Sequence, residues 1–554
     1  MAAVTNSVTA LADELVQLYF QSDPVFSTVV GVPGYGRVLA DRSPAAEADL
    51  LARVQDVAAR ASAVDPAGLT PDDVVTRAIV IHQAGAMADW TASRQIEFTI
   101  SDLFVAPASE LIMTLPMLPL TTDESRDDYL ARLRAVPAYL ATVTERHRAG
   151  AVEGRVPVAS LVEKAVAHLD RYLAEAENDP LARQEAPAEF AEAREEVLAS
   201  VVRPAIAEYR RFLADEMVAL GRPDDRVGVC RLPDGEEIYR RLSRFHTTTD
   251  RTPDELHQTG LDIIAALTEE YAALGDKLFG VSDRAEIFRR MTSDPAMRWR
   301  DEEELLSSAR EAVTRAEAAV PDWFGVLAST RCKVEPVPPA DAPGAPMAFY
   351  LWPSMDGARP GIYFANTHKP RERDRFVSEV TAFHEAVPGH HFQITIAQEL
   401  THLPMLRRVV APNAYAEGWG LYTERLAEEM GLYTSDVDRL GMLAMDSMRA
   451  GRLVVDTGMH AKGWSREQAI AYLRENTPMA DIDIRNEVDR YIAYPGQALG
   501  YMVGRLEIQR NRQVAERTLG AAFDIREFHD QVLTNGALPL SVLGEVVDRW
   551  LSRP

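Results

Sequence analysis

The sequence predicts a mainly α-helical protein that contains one small β-sheet. Apolar residues recur every three to four positions through most of the 554 residues, which is the helical period. Short apolar runs separated by Gly and Pro occur between about residues 331 and 367, where they indicate strands. Five of the twelve histidines then fall within the 35 residues from His368 to His402, where uniform spacing predicts fewer than one.

The helical period defines most of the predicted elements. In the N-terminal half it predicts helices at residues 11–20, 46–63, 71–92, 129–149, 159–176 and 190–220. A helix start is predicted at Thr252, because the Pro and Glu that follow it fit the first helical position and a capping box. After Pro370 the helical pattern returns and continues to Trp550.

The predicted sheet is assembled from three runs. Residues 331–337 are β-like, and residues 347–352 and 361–367 are two apolar runs on either side of a Gly/Pro-rich turn. That arrangement predicts a hairpin within a small sheet. The turn passes through Asp356-Gly357 and Arg359-Pro360.

Composition excludes several classes of partner. The 59 basic and 84 acidic residues give a net charge of −25, which would repel nucleic acid and anionic membrane surfaces. No apolar run approaches the roughly 18 residues of a membrane span. No Lys or Arg precedes Arg37, and Asp13 and Glu14 interrupt the first apolar stretch, so no secretory signal is indicated. We therefore expect a cytoplasmic protein. The two cysteines, Cys230 and Cys332, allow one disulfide at most.

The histidine cluster is the strongest functional signal. Imidazole is the commonest zinc ligand, and a neighbouring carboxylate can act as a general base. The familiar H-E-x-x-H pattern would place a second histidine four residues after His384, but Pro388 occupies that position. The centre of the cluster is the run Phe383-His384-Glu385-Ala386-Val387-Pro388-Gly389-His390-His391-Phe392-Gln393.

Helix geometry shows what this run requires. On a regular helix His390 would point about 120° away from His384, and His391 would lie about 10 Å along the axis. Pro388 removes a helical hydrogen bond and Gly389 permits unusual dihedral angles, so a break there could return His390 to His384. The sequence therefore predicts a bulge or break at residues 387–390. A helix end with two surface histidines is the alternative.

A second helix supplies a candidate third ligand. Glu417, Gly420, Leu421 and Glu424 share one helical face in the run Asn413–Glu424. A carboxylate about thirty residues after His384 suits a metal site, although a glutamate on a helix is more often simply solvated. Gly418 and Gly420 would let neighbouring helices approach closely.

These motifs resemble those of a bacterial family, domain of unknown function 885. The resemblance covers roughly residues 230–550. Members are usually regarded as zinc metallopeptidases, distantly similar to the helical group containing angiotensin-converting enzyme and thermolysin-like proteins. The resemblance implies a large helical protein whose small sheet lies beside a deep central cleft. It rests on His384-Glu-x-x-Pro-Gly-His390-His-x-Gln393, Glu417-Gly-Trp-x-Leu-Tyr-x-Glu424, the run from Arg452 to Trp464, Arg490-Tyr491 and the run from Pro495 to Tyr501, with an earlier match from Arg244 to His257.

The resemblance implies a role for each motif residue. His384, His390 and Glu417 become the ligands of one Zn²⁺ per chain, or of another divalent metal, with a water in the fourth position. Glu385 becomes the catalytic base that takes a proton from this water. His391 remains the alternative second ligand. Glu424 is expected to hold a ligand histidine in place.

Residues around the ligands are candidates for catalysis and substrate binding. Tyr501 and His460 are the favoured donors to the oxyanion, and Asp456 could orient His460. The alternative for the tyrosines is that they are buried core aromatics with satisfied hydroxyls. Asn366 could contact a substrate strand that pairs with the hairpin, although the hairpin could also be purely structural. Arg452, Lys462 or Arg490 could hold a substrate carboxylate, or form structural ion pairs. The candidates for substrate binding are Asn366, Arg490, Tyr491 and Gln497, with Tyr494 as a further oxyanion candidate.

The function expected from the sequence is a zinc-dependent metallohydrolase that acts on a peptide or small amide, as a carboxypeptidase or dipeptidase. A metal-dependent amidase acting on a non-peptide metabolite and a non-catalytic binding protein are the alternatives. We expect residues 1–225 to form a helical N-terminal part and residues 226–554 a helical catalytic part, together one continuous two-lobed body.

Overall fold

The computed structural model describes residues 7–339, 342, 345–355, 357 and 359–553, and helices dominate it. The first half contains α1 (Val8–Ser22), α2 (Pro24–Val29), α3 (Pro44–Ala63), α4 (Pro71–Ala92), α5 (Pro107–Thr114), α6 (Asp123–Val152), α7 (Ala159–Ala174), α8 (Ala188–Val197), α9 (Arg203–Phe212), α10 (Val218–Leu220), α11 (Gly235–Thr247) and α12 (Pro253–Phe279). The second half contains α13 (Arg284–Ser293), α14 (Glu302–Ala319), α15 (Ser378–Glu385), α16 (His390–Glu399), α17 (Met405–Val409), α18 (Asn413–Glu429), α19 (Asp436–His460), α20 (Arg466–Asn476), α21 (Asp481–Ala493), α22 (Leu499–Leu519), α23 (Ile525–Leu533) and α24 (Leu540–Leu551). The predicted mainly α class is confirmed.

The helices follow from local sequence. All six helices predicted in the N-terminal half are present, the last as a continuous run from α8 to α10 with π-helical turns at Leu198–Val202 and Leu213–Met217. The predicted capping box at the start of α12 is confirmed. The Thr252 hydroxyl accepts from the Glu255 backbone N–H, and the Glu255 carboxylate accepts from that of Thr252.

The sheet has three short strands, β1 (Lys333–Pro336), β2 (Ala348–Leu351) and β3 (Ile362–Ala365). β2 and β3 are antiparallel, with Tyr350 opposite Tyr363, so the predicted hairpin is confirmed. β1 pairs with β3 in parallel, which gives the order β1-β3-β2. Parts of two predicted segments lie outside the described residues, namely residues 356 and 358 of the turn and residues 340, 341, 343 and 344 of the preceding loop. Residues 1–6, where the sequence indicates no secretory signal, also lie outside them.

α19 is a central helix, buried along almost its whole length from Leu440 to His460. It packs against α12, α15, α20, α21 and α22. α18 and α22 pack closely because two glycines meet, and a Cβ on Gly418 would overlap the Gly504 backbone. The predicted role of Gly418 in close helix packing is therefore confirmed. α15, α18 and α19 together form the framework of the histidine cluster.

The helix is interrupted between α15 and α16, as predicted. α15 ends at Glu385 and α16 begins at His390, and the Val387–Pro388 peptide bond is cis. Only glycine fits at residue 389, because a Cβ there would overlap the carbonyl oxygen of His384. The Trp419 indole N–H donates to the Pro388 carbonyl at 2.9 Å and fixes the break against α18.

One hydrophobic cluster contains residues from both ends of the chain, from Leu11 to Val547. The division near residue 225 stays a prediction. No helix among the described residues is both long and apolar enough to span a membrane.

Candidate functional site

Three predicted ligands meet where α15, α16 and α18 converge. His384 is the penultimate residue of α15, His390 begins α16, and Glu417 lies in the second turn of α18. We call these residues the His–Glu triad. One ligand atom from each lies within 4.8 Å of the other two. Glu417 Oε2 is 3.4 Å from His384 Nε2 and 3.3 Å from His390 Nε2.

The spacing of the triad suits a single metal ion. Two ligands bound at roughly 2.0–2.1 Å to a tetrahedral ion lie about 3.3–3.4 Å apart, which matches both histidine–carboxylate distances. The imidazoles are nearly perpendicular, with ring centroids 4.7 Å apart. The side chains of His390 and Glu417 remain 13% and 21% exposed, so solvent reaches the triad.

The orientation of His384 is fixed from behind. Its Nδ1 lies 2.8 Å from Oε1 of the fully buried Glu424, so the Nε2 atom faces the centre of the triad. The ring also lies directly over Gly420, where a Cβ would be 2.6 Å from its Cε1 atom. The expected position of Glu424 behind His384 is therefore observed.

Burial and neighbouring charges shift the pKa values of His384, Glu417 and Glu385 in different directions. Burial alone lowers the pKa of His384, but hydrogen bonds to Glu417 and Glu424 raise it to about 9. Burial opposes ionisation of Glu417, yet hydrogen bonds from His384 and His390 lower its pKa well below the usual range. Burial raises the pKa of Glu385, partly offset by His390 and His384. Glu417 is thus held ionised, whereas burial disfavours the ionised form of Glu385.

His391 does not belong to the triad. Its Nδ1 lies 2.9 Å from the Tyr350 hydroxyl of β2, and its Nε2 lies 2.8 Å from the Thr330 carbonyl. The alternative in which His391 replaces His390 is wrong. The break before α16 returns His390 to the triad and directs its neighbour toward the sheet.

Tyr501 lies beside the triad on α22. Its ring stacks on that of His384 with centroids 6.4 Å apart and an interplanar angle of 19°. The Arg452 guanidinium lies 4.4 Å from the centroid of the same ring. Burial and the nearby Glu417 carboxylate raise the pKa of Tyr501. Tyr501 is therefore close enough to act on a group bound at the triad.

The predicted catalytic role of His460 is wrong. The ring is fully buried, and its Nδ1 accepts from the Val229 backbone N–H at 3.2 Å. Its Nε2 therefore carries the proton and lies 3.0 Å from the Tyr491 carbonyl. Burial lowers the pKa of His460 to about 4. Both nitrogens are engaged and no proton is available for an oxyanion.

Asp456 does not orient His460, contrary to the prediction. Its carboxylate accepts from the Tyr239 hydroxyl at 2.6 Å and from the Gly496 backbone N–H at 3.2 Å. Burial raises the pKa of this carboxyl to about 7. Asp456 thus joins α19 to α11 and to the turn between α21 and α22.

The predicted substrate contact through Asn366 is also wrong. The side chain is 1% exposed, and its amide donates to the carbonyls of Ala342, Ala345 and Pro346 while its oxygen accepts from the His368 N–H. Strand β3, which precedes it, is the central strand of the sheet and has no free edge among the described residues. The amide secures a loop.

The remaining substrate candidates form one network near Tyr501. Arg490 donates to Gln497 Oε1 at 3.0 Å and to Glu487 Oε2 at 2.9 Å. The Tyr491 hydroxyl is held between Arg452 and Glu487. Lys462 instead pairs with Asp254 near the surface. The structure thus places Arg490, Tyr491 and Gln497 together, and it places Lys462 outside this network.

The comparisons with known proteins agree with these motifs. A family model described as "Bacterial protein of unknown function (DUF885)" matches residues 24–547. The chain belongs to the DUF885 family. The resemblance found from the motifs is therefore confirmed at the level of the family. No curated protein matches the chain.

Two solved structures resemble this DUF885 chain. One, "the putative lipoprotein from Colwellia psychrerythraea", is 28% identical, covers 99% of both chains and has a TM-score of 0.90. The other, a "putative lipoprotein of unknown function from Shewanella oneidensis", is 19% identical and has a TM-score of 0.75, with 97% of this chain and 99% of that chain covered. The second shares the fold alone.

Sequence reasoning missed two residues of the DUF885 site, Arg449 and Glu487. Arg449 Nη2 lies 3.5 Å from Glu424 Oε1, and its guanidinium is 5.8 Å from the Tyr501 ring centroid. A signal for Arg449 was present, because charged residues recur at three-to-four spacing along the otherwise apolar α19. We call Asp446, Arg449, Arg452, Asp456 and His460 the polar stripe of α19; each is at most 5% exposed.

Proposed function

We propose that this protein is a zinc-dependent hydrolase that cleaves peptide bonds. The observation that carries the proposal is the His–Glu triad with Glu385 next to it in the chain. Two imidazoles and one carboxylate are a ligand set used by catalytic zinc sites, which keep one position open. Both distances between a histidine nitrogen and the Glu417 oxygen fit one tetrahedral ion.

A bound zinc ion would supply Lewis-acid polarisation of an amide carbonyl and bring the pKa of a water toward about 7. His384, His390 and Glu417 would hold the ion. Glu424 fixes the imidazole of His384 through Nδ1, which reserves Nε2 for the metal. Other divalent metals with similar ligand preferences would fit the same residues.

Glu385 is the proposed general base. It follows a ligand directly, is half-buried, and is not needed to complete the triad. Its carboxylate would take a proton from the attacking water and return it to the leaving amine. Tyr501 is the proposed donor to the oxyanion, because its ring stacks on His384 and places the phenol beside the triad.

The proposed substrate is a peptide or a small amide, and the location proposed from sequence is the cytoplasm. The 28% identical relative, described as a "putative lipoprotein", favours a location outside the cytoplasm instead. Fractionation of cells that express the natural gene, followed by immunodetection, decides between them. A signal confined to the membrane fraction would contradict the cytoplasmic proposal.

Substitution of Glu385 tests the catalytic proposal. Glu385→Gln retains the shape of the side chain but removes its basicity, so zinc should remain bound at about one ion per chain. Turnover should fall about 10²–10⁴-fold, the usual value of general-base assistance. The measurements are zinc content by elemental analysis and hydrolysis of a mixed short-peptide library by mass spectrometry.

The exposed Glu527→Gln, which makes the same chemical change far along the chain on α23, is the matched control and should retain both properties. Full activity of Glu385→Gln would remove Glu385 from the mechanism. Wild-type protein that binds no zinc would refute the proposed function.

A further inference from the structure

We propose that Arg452 and Arg490 bind the terminal carboxylate of a short peptide, so that the enzyme removes residues from the C-terminus. We call these two residues the arginine pair. The inference rests on the proposed peptidase function and names its substrate class. It is carried by the charge balance of the pair, its unpartnered donors and its position relative to the triad.

The arginine pair has more positive than negative charge. Both guanidinium groups donate to the same oxygen, Glu487 Oε2, at 2.8 Å from Arg452 and 2.9 Å from Arg490. The Tyr491 hydroxyl donates to that oxygen as well. One carboxylate thus faces two guanidinium groups. Because a buried charge without a counter-charge is costly, an additional anion would stabilise this arrangement.

The other nearby acids are already engaged. Glu417 belongs to the triad, and Glu424 contacts both His384 and Arg449. Asp456 accepts from Tyr239 and Gly496; Arg490 is near enough to act on its charge but forms no ion pair with it. Asp483 is exposed, and its charge is influenced by Glu487 and Arg373. Among the described residues, Glu487 is therefore the one carboxylate that forms an ion pair with both arginines.

The pair also has donors left over. Arg452 Nη1 and Arg490 Nε are buried and have no hydrogen-bond partner among the described residues. Arg452 is only 4% exposed, so water compensates little. A carboxylate accepts readily from such donors, and arginine is the side chain that best matches its planar shape.

Distance connects the pair to the triad. The Arg452 guanidinium lies 4.4 Å from the Tyr501 ring centroid, which lies 6.4 Å from that of His384. The sum of these two separations sets an upper limit of about 11 Å on the distance between the guanidinium and the centroid of the His384 imidazole. An extended chain spans about 3.3–3.6 Å per residue, so one or two residues fit between a carbonyl at the triad and a carboxylate at the pair.

The pair can be reached from outside. The side chains of Arg490 and Glu487 are 17% and 22% exposed, and Gln497 and Tyr494 beside them are half-buried. A short peptide could therefore enter with its carboxylate first. A purely structural Arg–Glu–Arg network would bind no such group, and the two cases give different experimental results.

The experiment compares peptides of two to four residues that differ only at the C-terminus. One set has a free carboxylate, a second has a carboxamide, and a third has a carboxamide with a glutamate side chain. Zinc-loaded wild-type protein should cleave the first set with a kcat/KM about 10²-fold or more above the second, as expected for a buried charge pair. Arg490→Gln should reduce this ratio at least about tenfold, and Arg490→Lys, which retains the charge, should reduce it less.

The matched control is Arg485→Gln on the same helix α21, because Arg485 forms only an exposed pair with Asp481. It should keep the wild-type ratio. Equal cleavage of the first two sets, an unchanged ratio in Arg490→Gln, or cleavage that follows the glutamate side chain would overturn the proposal while leaving the peptidase function intact.

Binding separates this proposal from the proposed function. Zinc-loaded Glu385→Gln should show a higher melting temperature with the free-acid peptides than with the amides, and the Glu385→Gln/Arg490→Gln double variant should not. If the wild type cleaves no peptide but the free acids still stabilise Glu385→Gln, the carboxylate site holds and the peptidase function fails. If the free acids neither react nor stabilise, both fail.

Discussion

Replacing Gly420 with alanine tests the placement of the His384 ring. A Cβ at this position would be 2.6 Å from the ring Cε1 atom and 2.9 Å from both ring nitrogens. Non-bonded carbon atoms prefer separations of about 3.5–4.0 Å, so the imidazole must move by about 1 Å. It cannot move freely, because Glu424 holds Nδ1 from behind.

Metal coordination tolerates only displacements much smaller than this one. Ligand distances in metal sites vary by about 0.2 Å, so a shift of about 1 Å should weaken zinc binding at least about 10–100-fold. Overpacking should cost about 1–3 kcal/mol, offset by about 1 kcal/mol from the higher helix propensity of alanine. The predicted signature is a large loss of zinc affinity with a small change in the stability of the metal-free protein.

The assays are competition for zinc with a chromophoric chelator and urea unfolding of metal-free protein. Gly85→Ala is the matched control, since Gly85 lies exposed within α4 and a Cβ there meets no atom within 4 Å. It should bind zinc normally and gain about 1 kcal/mol in the free energy of unfolding. Wild-type zinc affinity in Gly420→Ala would refute the assignment of His384 as a ligand.

Two further predictions concern residues around the triad. Glu424→Gln should weaken zinc binding about 10–100-fold in the same chelator competition, because the amide no longer provides the charged acceptor for His384 Nδ1; unchanged affinity would show that this contact is dispensable. Burial lowers the pKa of His460 to about 4 in the folded protein, against about 6.5 in the unfolded chain. The unfolded chain is therefore protonated first, and the free energy of unfolding decreases as the pH falls from about 6.5 toward 4. Between pH 7 and pH 4, the free energy of unfolding measured in urea should fall by up to about 3 kcal/mol less in His460→Gln than in the wild type. Equal decreases in the two proteins would contradict this.

The triad and the helix break were predictable because local chemistry determines them. Pro388 cannot donate the helical hydrogen bond, and only glycine avoids a clash at residue 389, so the sequence itself ends α15. The choice between His390 and His391 was not local. It depended on Tyr350 and the Thr330 carbonyl, which hold His391 and come from segments far along the chain.

The errors in the predicted site have a common cause. Helical spacing placed Asp456 and His460 on one face of α19, but their partners come from other segments, Tyr239 and Gly496 for Asp456 and the Val229 N–H for His460. The hairpin pattern likewise could not show that β1 would pair with β3 and make it a central strand. Periodicity fixes the face of an element and leaves its neighbours undetermined.

The polar stripe of α19 gives a physical reason for charges inside a buried helix. Asp446 pairs with Arg425 of α18 and Arg505 of α22, while Arg449 reaches Glu424, the residue behind His384. One turn further, Arg452 reaches Glu487 of α21 and contacts the Tyr501 ring.

Such charges cost free energy unless each has a partner, so they fix how α18, α21 and α22 are arranged around α19. The same helix therefore supports the imidazole of the triad at one level and the arginine pair at the next. Arg449 and Arg452 lie one turn apart on α19, so this helix sets the separation between the contact behind His384 and the arginine pair.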